Sequence, residues 1–227
     1  MAEARLYRAG LMSRPGAIFD LDGTLLAGTS AERLFLRRAL RAHTLGCEHF
    51  VRGAVRALGW VASGRAGILT ASKAYLHDLP CSVVERIGVE CVHEDVRPRL
   101  RPSMLAALDA HRAAGDAIVL LSGTLDFLGT EVARKVGADV AACTVLERRD
   151  GVFTGRVVPP YPHGAGKLQV LEQLALANDL DLAASHAYAN HGSDARHLER
   201  VGFAHAVEPD SGLRRLARAR GWRIHEA

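Results

Sequence analysis

The chain has 227 residues, of which 48% are hydrophobic and 24% are charged, and this composition is that of an ordinary globular protein rather than a disordered one. No run of about eighteen apolar residues is present, so we expect no membrane-spanning helix. The net charge of +4 comes from arginines scattered along the chain, without the clustered stripe of a nucleic-acid-binding protein.

The first predicted element is a strand over Ala17-Ile18-Phe19, which we expect to be buried and parallel because its residues are apolar without alternation. Asp20 and Asp22 follow it, and open α/β sheets bind their ligands at such strand ends. Two carboxylates this close repel each other, and Mg²⁺ would relieve the repulsion. One carboxylate could then act as a nucleophile and the other exchange a proton. By itself, Asp-x-Asp-Gly would also suit a surface turn.

Residues 30–95 have the periodicity of helices and no convincing strand. Ser30 is a predicted N-cap of the first helix. The third helix is predicted over Leu69–Leu76 and the fourth from Ser82 to about His93. Four such helices would close a small bundle of their own. The second helix is indicated by an apolar face of Val51, Ala54, Val55, Leu58 and Val61.

A helix over Ser103–Ala114, ended by Gly115, leads to the strongest predicted strand, Ala117–Leu121. Ser122 and Gly123 follow this strand and precede a helix from Asp126. A hydroxyl and backbone N–H groups at a helix start suit phosphoryl oxygens. Taken alone, the serine would equally fit a helix N-cap.

A β-hairpin is predicted where Cys143–Leu146 and Val152–Val157 flank Arg149-Asp150-Gly151. Lys167 then stands at the start of a helix. The preceding sequence is not a phosphate-binding P-loop, because the upstream glycine is missing and Leu168 replaces the required Ser or Thr. In the same stretch, we expect His163 to be a loop residue rather than a catalyst.

The next predicted strand, Ser185–Ala189, is followed by Asn190 and Asp194. An amide oxygen can ligate Mg²⁺ but brings no negative charge, so we expect a weaker metal site here. His197 is expected at the surface. A last strand is predicted over Phe203–Val207.

In this order the motifs resemble those of the haloacid dehalogenase (HAD) superfamily, in the phosphoserine-phosphatase-like branch with a helical cap. Phe19–Leu25 carries the most specific resemblance, and Glu208-Pro209-Asp210 is similar to the Asn-Pro-Asp ending of that branch. The family's fourth motif has Gly-Asp where this chain has Ala189-Asn190. The resemblance implies an α/β fold, a Rossmann-like doubly wound parallel sheet with an inserted all-helical cap and a small β-hairpin. The implied core is 12–27 and 97–227, the cap is 28–96, and 1–11 is a flexible tail.

The resemblance further implies a Mg²⁺-dependent phosphatase that hydrolyses a small phosphate monoester through an aspartyl-phosphate. Asp20 would be the nucleophile and Asp22 the acid and base. The resemblance assigns catalysis to Asp20, Asp22 and Lys167, phosphate binding to Ser122, Gly123 and Lys167, and Mg²⁺ ligation to Asp20, Asp22, Asn190 and Asp194.

Other functions stay open at this point. A phosphotransferase of the same fold would need the same motifs, and Asn190 would suit a degenerate protein that only binds a phosphorylated ligand. Phosphoserine-specific members carry a glutamate soon after the first motif, whereas this chain has Ala27-Gly28-Thr29-Ser30 there and Glu32 further on, which argues against phosphoserine.

We expect the partner to be a small phosphorylated metabolite, with no nucleic acid. The oligomeric state is not predicted. Four cysteines without CxxC spacing (Cys47, Cys81, Cys91 and Cys143) favour a cytoplasmic location.

Overall fold

A sheet of seven strands runs through the computed structural model, which describes residues 13–62 and 73–226. The predicted tail, residues 1–11, lies outside the described residues. The strands are β1 Arg14–Phe19, β2 Ala117–Leu125, β3 Val140–Arg149, β4 Val152–Val158, β5 Leu180–Ala189, β6 Phe203–Val207 and β7 Arg223–His225. Their order in the sheet is β4-β3-β2-β1-β5-β6-β7. Neighbouring strands are parallel except β3 and β4, which form the predicted hairpin.

Helices cover both faces of this sheet. Ser30 caps the first helix as predicted, because its Oγ accepts the N–H of Arg33 at 3.2 Å. Gly115 ends the helix Pro102–Ala114, as predicted, with its backbone in the left-handed region at φ +88°. The helices are α1 Ala31–Arg41, α2 Cys47–Ala62, α3 Cys81–Cys91, α4 Pro102–Ala114, α5 Asp126–Val136, α6 Ala165–Ala177, α7 Ala195–Leu198 and α8 Ser211–Arg220.

The central strand β1 is buried on both faces, which explains its unbroken apolar run. Ala17 and Phe19 point into an apolar layer shared with α1, α3, α4 and α5. Ile18 points into the opposite layer, which it shares with α6, α7 and α8. This arrangement confirms the doubly wound α/β fold.

The helices between β1 and α4 differ from the prediction. Residues 69–72 of the expected third helix lie outside the described residues, and Ala74–Leu76 form a single 3₁₀ turn. Helices α1 and α3 bury apolar residues in the same layer as β1, and the ring of Phe35 lies 5.1 Å from that of Phe127 in α5. The boundary between core and cap stays a prediction.

Helix α2 does not bury the apolar face that its spacing predicts. Val51, Val55 and Leu58 are 62%, 64% and 68% exposed. The helix packs instead through Gly53, where an added Cβ would lie 3.0 Å from the backbone nitrogen of Tyr75. The close approach of the backbone at Gly53 to the backbone at Tyr75, rather than the apolar face, therefore fixes the position of α2.

Most strands are longer than the sequence predicts, and the largest differences are in β5 and β7. Strand β5 begins at Leu180 rather than Ser185, and the edge strand β7 was not expected. The hairpin closes as predicted at Asp150 and Gly151, with φ of +50° and +79°. In the part of the chain that is described, no helix is long and apolar enough to cross a bilayer.

Candidate active site

The residues that the sequence singles out lie around one crevice at the carboxyl ends of β1, β2 and β5. The strand order reverses beside β1, which is where doubly wound sheets bind their ligands. The crevice has a volume of about 310 Å³. Its lining includes Asp20, Asp22, Ser122, Gly123, Lys167, Asn190 and Asp194.

Lys167 joins two carboxylates at the floor of this crevice. Its Nζ donates to Asp20 Oδ1 at 2.7 Å and to Asp194 Oδ1 at 3.0 Å, and all three side chains are buried. Burial lowers the pKa of the Lys167 amine, but the two carboxylates raise it further, so the amine stays protonated. Burial raises the pKa of Asp20 against the opposing effect of Lys167, and Asp194 raises it too. One cation thus serves two buried carboxylates, and negative charge is in surplus.

The carboxylate of Asp20 is fixed from two further sides. Thr24 Oγ1 donates to Asp20 Oδ2 at 3.0 Å. The backbone N–H of Asp20 donates to the carbonyl of Tyr188 at 3.0 Å, and the ring of Tyr188 stacks on Phe19 with centroids 4.5 Å apart. The strand pair β1–β5 therefore holds the side chain of Asp20 in one orientation.

Asp22 has a different environment. Its Oδ1 accepts the N–H of Ala31 at 2.8 Å, at the N-terminus of α1. Burial raises the pKa of Asp22 to about 7, opposed by the Ala31 N–H and aided by the charges of Asp20 and Glu32. A carboxyl group with this pKa can give and take a proton near neutral pH.

Ser122 and Gly123 lie where the register of β2 with β3 shifts, between Leu121 and Leu125, and they line the same crevice. The Ser122 hydroxyl accepts the N–H of Thr124 at 3.3 Å, and Thr144 Oγ1 donates to the carbonyl of Gly123 at 2.7 Å. These bonds orient the turn while leaving the serine hydroxyl proton for a ligand. His163 lies in a loop, as predicted, and also lines the crevice.

Asn190 occupies the position where the family motif has a carboxylate, and it packs directly on the turn after Asp22. A Cβ added to Gly23 would lie 2.1 Å from Asn190 Nδ2, and Gly23 has φ +86°. Only glycine fits this position. Thr24 Oγ1 also approaches Asn190 Oδ1, at 3.4 Å.

His197 is buried, so its predicted surface position is wrong. The side chain is 1% exposed, and neither ring nitrogen has a hydrogen-bond partner among the described residues. Its Nδ1 lies 3.7 Å from Asp194 Oδ1. Burial and the charge of Lys167 lower the pKa of His197 to about 3, against a smaller opposing effect of Asp194. The 3₁₀ turn at Gly192–Asp194 and the short helix α7 turn this ring inward.

Two ion pairs near the site were not predicted, because their partners are far apart in sequence. Arg101 pairs with Glu208, and its Nη2 also donates to the carbonyl of Gly23 at 3.4 Å. Glu32 lines the crevice and accepts hydrogen bonds from Lys73 and Tyr75.

The donors at the crevice are oxygens of the kind that Mg²⁺ prefers. Among the described residues, no three His, Cys, Asp or Glu side chains are grouped so as to hold a metal ion. A cation would therefore rely on the carboxylates of Asp20 and Asp194, the amide oxygen of Asn190 and the carbonyl of Asp22. The surplus of buried negative charge fits a hard cation at this position.

Known proteins resemble this chain over most of its length. A model of the haloacid dehalogenase-like hydrolases matches residues 17–199. The phosphoserine phosphatase SerB1 of Mycobacterium tuberculosis is 33% identical over 221 residues, which cover 92% of this chain and 70% of the relative. The inhibition of morphological differentiation protein of Streptomyces azureus is 31% identical, over 94% of this chain and 78% of the relative.

Solved structures show the same fold. A protein of unknown function from Bordetella pertussis Tohama I has a TM-score of 0.76 and 29% identity, covering 94% of this chain and 98% of that one. A substrate-bound phosphoserine phosphatase complex has a TM-score of 0.64 at 18% identity, over 94% of each chain, and supports the fold alone. The chain belongs to the haloacid dehalogenase-like hydrolase family and is a phosphohydrolase.

Proposed function

We propose that this protein is a Mg²⁺-dependent phosphatase that hydrolyses a small phosphate monoester through an aspartyl-phosphate on Asp20. The observation that carries the proposal is the setting of Asp20, whose carboxylate is bonded to Lys167 and Thr24 in a crevice. Asp22 stands two residues further along the same turn, with a pKa of about 7. A fixed carboxylate beside a proton donor is what nucleophilic catalysis requires.

In the first step, a carboxylate oxygen of Asp20 attacks phosphorus and the bond to the ester oxygen breaks. Asp22 gives its proton to the departing oxygen, which leaves as an alcohol. The Ser122 hydroxyl, the Gly123 N–H and the Lys167 ammonium stabilise the charge on the phosphoryl oxygens.

In the second step, the ionised Asp22 takes a proton from water, and the resulting hydroxide attacks phosphorus. The bond between phosphorus and Asp20 breaks, which restores the carboxylate and releases phosphate. Mg²⁺, held by Asp20, Asn190, Asp194 and the Asp22 carbonyl, would offset the charge of the phosphoryl group.

The size and polarity of the crevice support a small, hydrophilic substrate. Its volume of about 310 Å³ is at the lower end of the range for small-molecule sites. Most of the residues that line it have polar side chains, with Ser30, Glu32, His163 and His191 around the acidic groups. Phosphoserine, the substrate in the name of the relative SerB1, belongs to this size class. We place the enzyme in the cytoplasm, with residues 28–96 as a cap over the crevice.

The test is phosphate release from a panel of small phosphate esters with and without Mg²⁺. We expect Mg²⁺-dependent release that Asp20→Asn abolishes while the far-UV circular dichroism spectrum stays unchanged. A ³²P-labelled acid-stable adduct is expected on the wild-type chain and absent from the variant. Turnover that persists in Asp20→Asn would remove Asp20 from the reaction.

A protein that binds a phosphorylated ligand without hydrolysing it is the second candidate, because Asn190 leaves the metal site one charge poorer. It would bind the esters and release no phosphate with Mg²⁺ present. A phosphotransferase would instead move phosphate to an added alcohol faster than to water.

A further inference from the structure

We propose that Lys73 sets the substrate preference of this site, by neutralising Glu32 so that the crevice accepts an uncharged, hydroxylated leaving group rather than a cationic one. The inference rests on the proposed function, according to which one end of the substrate is a phosphate ester. It concerns the other end of the substrate, which no catalytic residue contacts.

Glu32 is the acidic side chain of α1 that faces the crevice. It belongs to the crevice lining together with Ser30, whereas Asp20 and Asp22 lie in the turn that follows β1. Its charge is close enough to raise the pKa of Asp22. A carboxylate in this position would by itself attract an ammonium group on a leaving group.

That carboxylate is already paired. Lys73 Nζ donates to Glu32 Oε1 at 2.9 Å and to Oε2 at 2.7 Å, and the Tyr75 hydroxyl donates to Oε1 at 2.5 Å. Burial and the Glu32 charge raise the pKa of Tyr75 well above its ordinary value, so the phenol stays a donor. The side chains of Glu32 and Lys73 are 22% and 15% exposed, so water screens the pair only in part.

Lys73 is held in place by its own backbone. Its N–H donates to the carbonyl of Gly155 at 3.0 Å, which ties it to the hairpin strand β4. Gly155 has φ +74°, and a Cβ there would lie 2.9 Å from Ala74 Cα. The lysine is therefore anchored beside Glu32 by packing, in addition to the attraction of the two charges.

The test compares 2-aminoethyl phosphate with 2-hydroxyethyl phosphate, which differ only in an ammonium group against a hydroxyl. Calorimetry with Mg²⁺ gives the ratio of their dissociation constants in the Asp20→Asn background, where turnover is blocked. With Lys73 present we expect the two ligands to bind within about threefold of each other. Lys73→Met should favour binding of the amine by about tenfold, or about 1.4 kcal/mol, because the Glu32 carboxylate then keeps its hydrogen bond from Tyr75 but has lost its neutralising cation.

Two further variants separate charge from structure. Glu32→Gln should shift the ratio the other way, against the amine, because Lys73 is then the unpaired charge. The double variant Glu32→Gln/Lys73→Met should return the ratio to its starting value. Lys135→Met, the same substitution at a lysine in α5 outside the crevice, should leave the ratio unchanged. A merely structural role of Lys73 would weaken both ligands together and leave the ratio constant.

The outcomes also distinguish this inference from the proposed function. A ratio that moves as stated supports the role of Lys73 even if the wild-type protein releases no phosphate. Turnover of both esters with a ratio unmoved by Lys73→Met and Glu32→Gln refutes the inference and leaves the phosphatase intact. Binding of neither ligand to any variant would also refute a leaving-group site at Glu32.

Discussion

Replacing Lys167 by methionine removes the charge between Asp20 and Asp194 while keeping a straight side chain of similar length. The lysine is 3% exposed and its Nζ lies 2.7 and 3.0 Å from the two carboxylates. No other Lys or Arg in the described part of the chain is recorded as an ion-pair partner of either carboxylate. The variant therefore leaves two buried carboxylates without a compensating cation.

Two independent arguments give the loss in unfolding free energy that we expect for Lys167→Met. Removing one partner of a buried ion pair costs about 3–5 kcal/mol. The protein can alternatively protonate one carboxylate, and with an unfolded pKa of about 3.9 this costs about 4 kcal/mol near pH 7. Because the second cost falls by about 1.4 kcal/mol for each pH unit, the loss should shrink to about 1.5–2 kcal/mol near pH 5.

Urea unfolding with EDTA, at these two pH values, measures the difference in unfolding free energy. Lys135→Met is the matched control and should change stability little, because that lysine is not among the buried residues. Asp20→Asn combined with Lys167→Met should recover part of the loss, since one unpaired charge is removed. A loss below about 1 kcal/mol near pH 7, or one independent of pH, would refute the reasoning.

Three other predictions concern the same site. Asn190→Asp should tighten Mg²⁺ binding by about tenfold in calorimetry, because it adds a charged oxygen ligand; an unchanged affinity would place Asn190 away from the metal. Initial rates of phosphate release should fall as the pH rises through about 7, where Asp22 loses its proton, and a rate rising steadily across that range would contradict this role. The folded pKa of His197, about 3, lies below the unfolded value of about 6.5, so its contribution to stability is complete above pH 6.5 and is lost as the pH falls. In urea unfolding with EDTA, His197→Leu should therefore be at least as stable as wild type near pH 7. Between pH 7 and pH 5 its unfolding free energy should fall by about 2 kcal/mol less than that of wild type. An equal fall in the two proteins would contradict this.

The parts of the site that the sequence could predict share one physical cause. Asp20, Ser122 and Asn190 each follow a buried run of apolar residues, and the carboxyl ends of parallel strands meet at one edge of a sheet. Lys167 stands at a helix start, and its role is implied by the resemblance to the family's motifs. Local pattern and chain order were enough to expect these residues at one site, whereas their roles in catalysis and binding came from the resemblance.

The parts that could not be predicted depend on contacts between distant segments. Glu32 meets Lys73 across 41 residues and Arg101 meets Glu208 across 107, and neither pair has a local signature. The exposure of His197 was wrong for a related reason: a helix of four residues is too short to show which side faces the core. Helix α2 shows the opposite case. Its apolar spacing is clear in the sequence, but that face is exposed and the helix packs through Gly53 instead.

Asn190 and Glu208, which both depart from the family pattern, are both connected to the turn that carries Asp22. Asn190 packs against Gly23 so closely that no side chain fits there, and Glu208 pairs with Arg101, which donates to the Gly23 carbonyl. Both substituted residues thus have partners that hold this turn. A site that had lost its function would have no reason to keep such matched packing around its nucleophile. We infer that the amide at position 190 belongs to a working site with a lower affinity for the metal, and this favours the hydrolase over the protein that only binds.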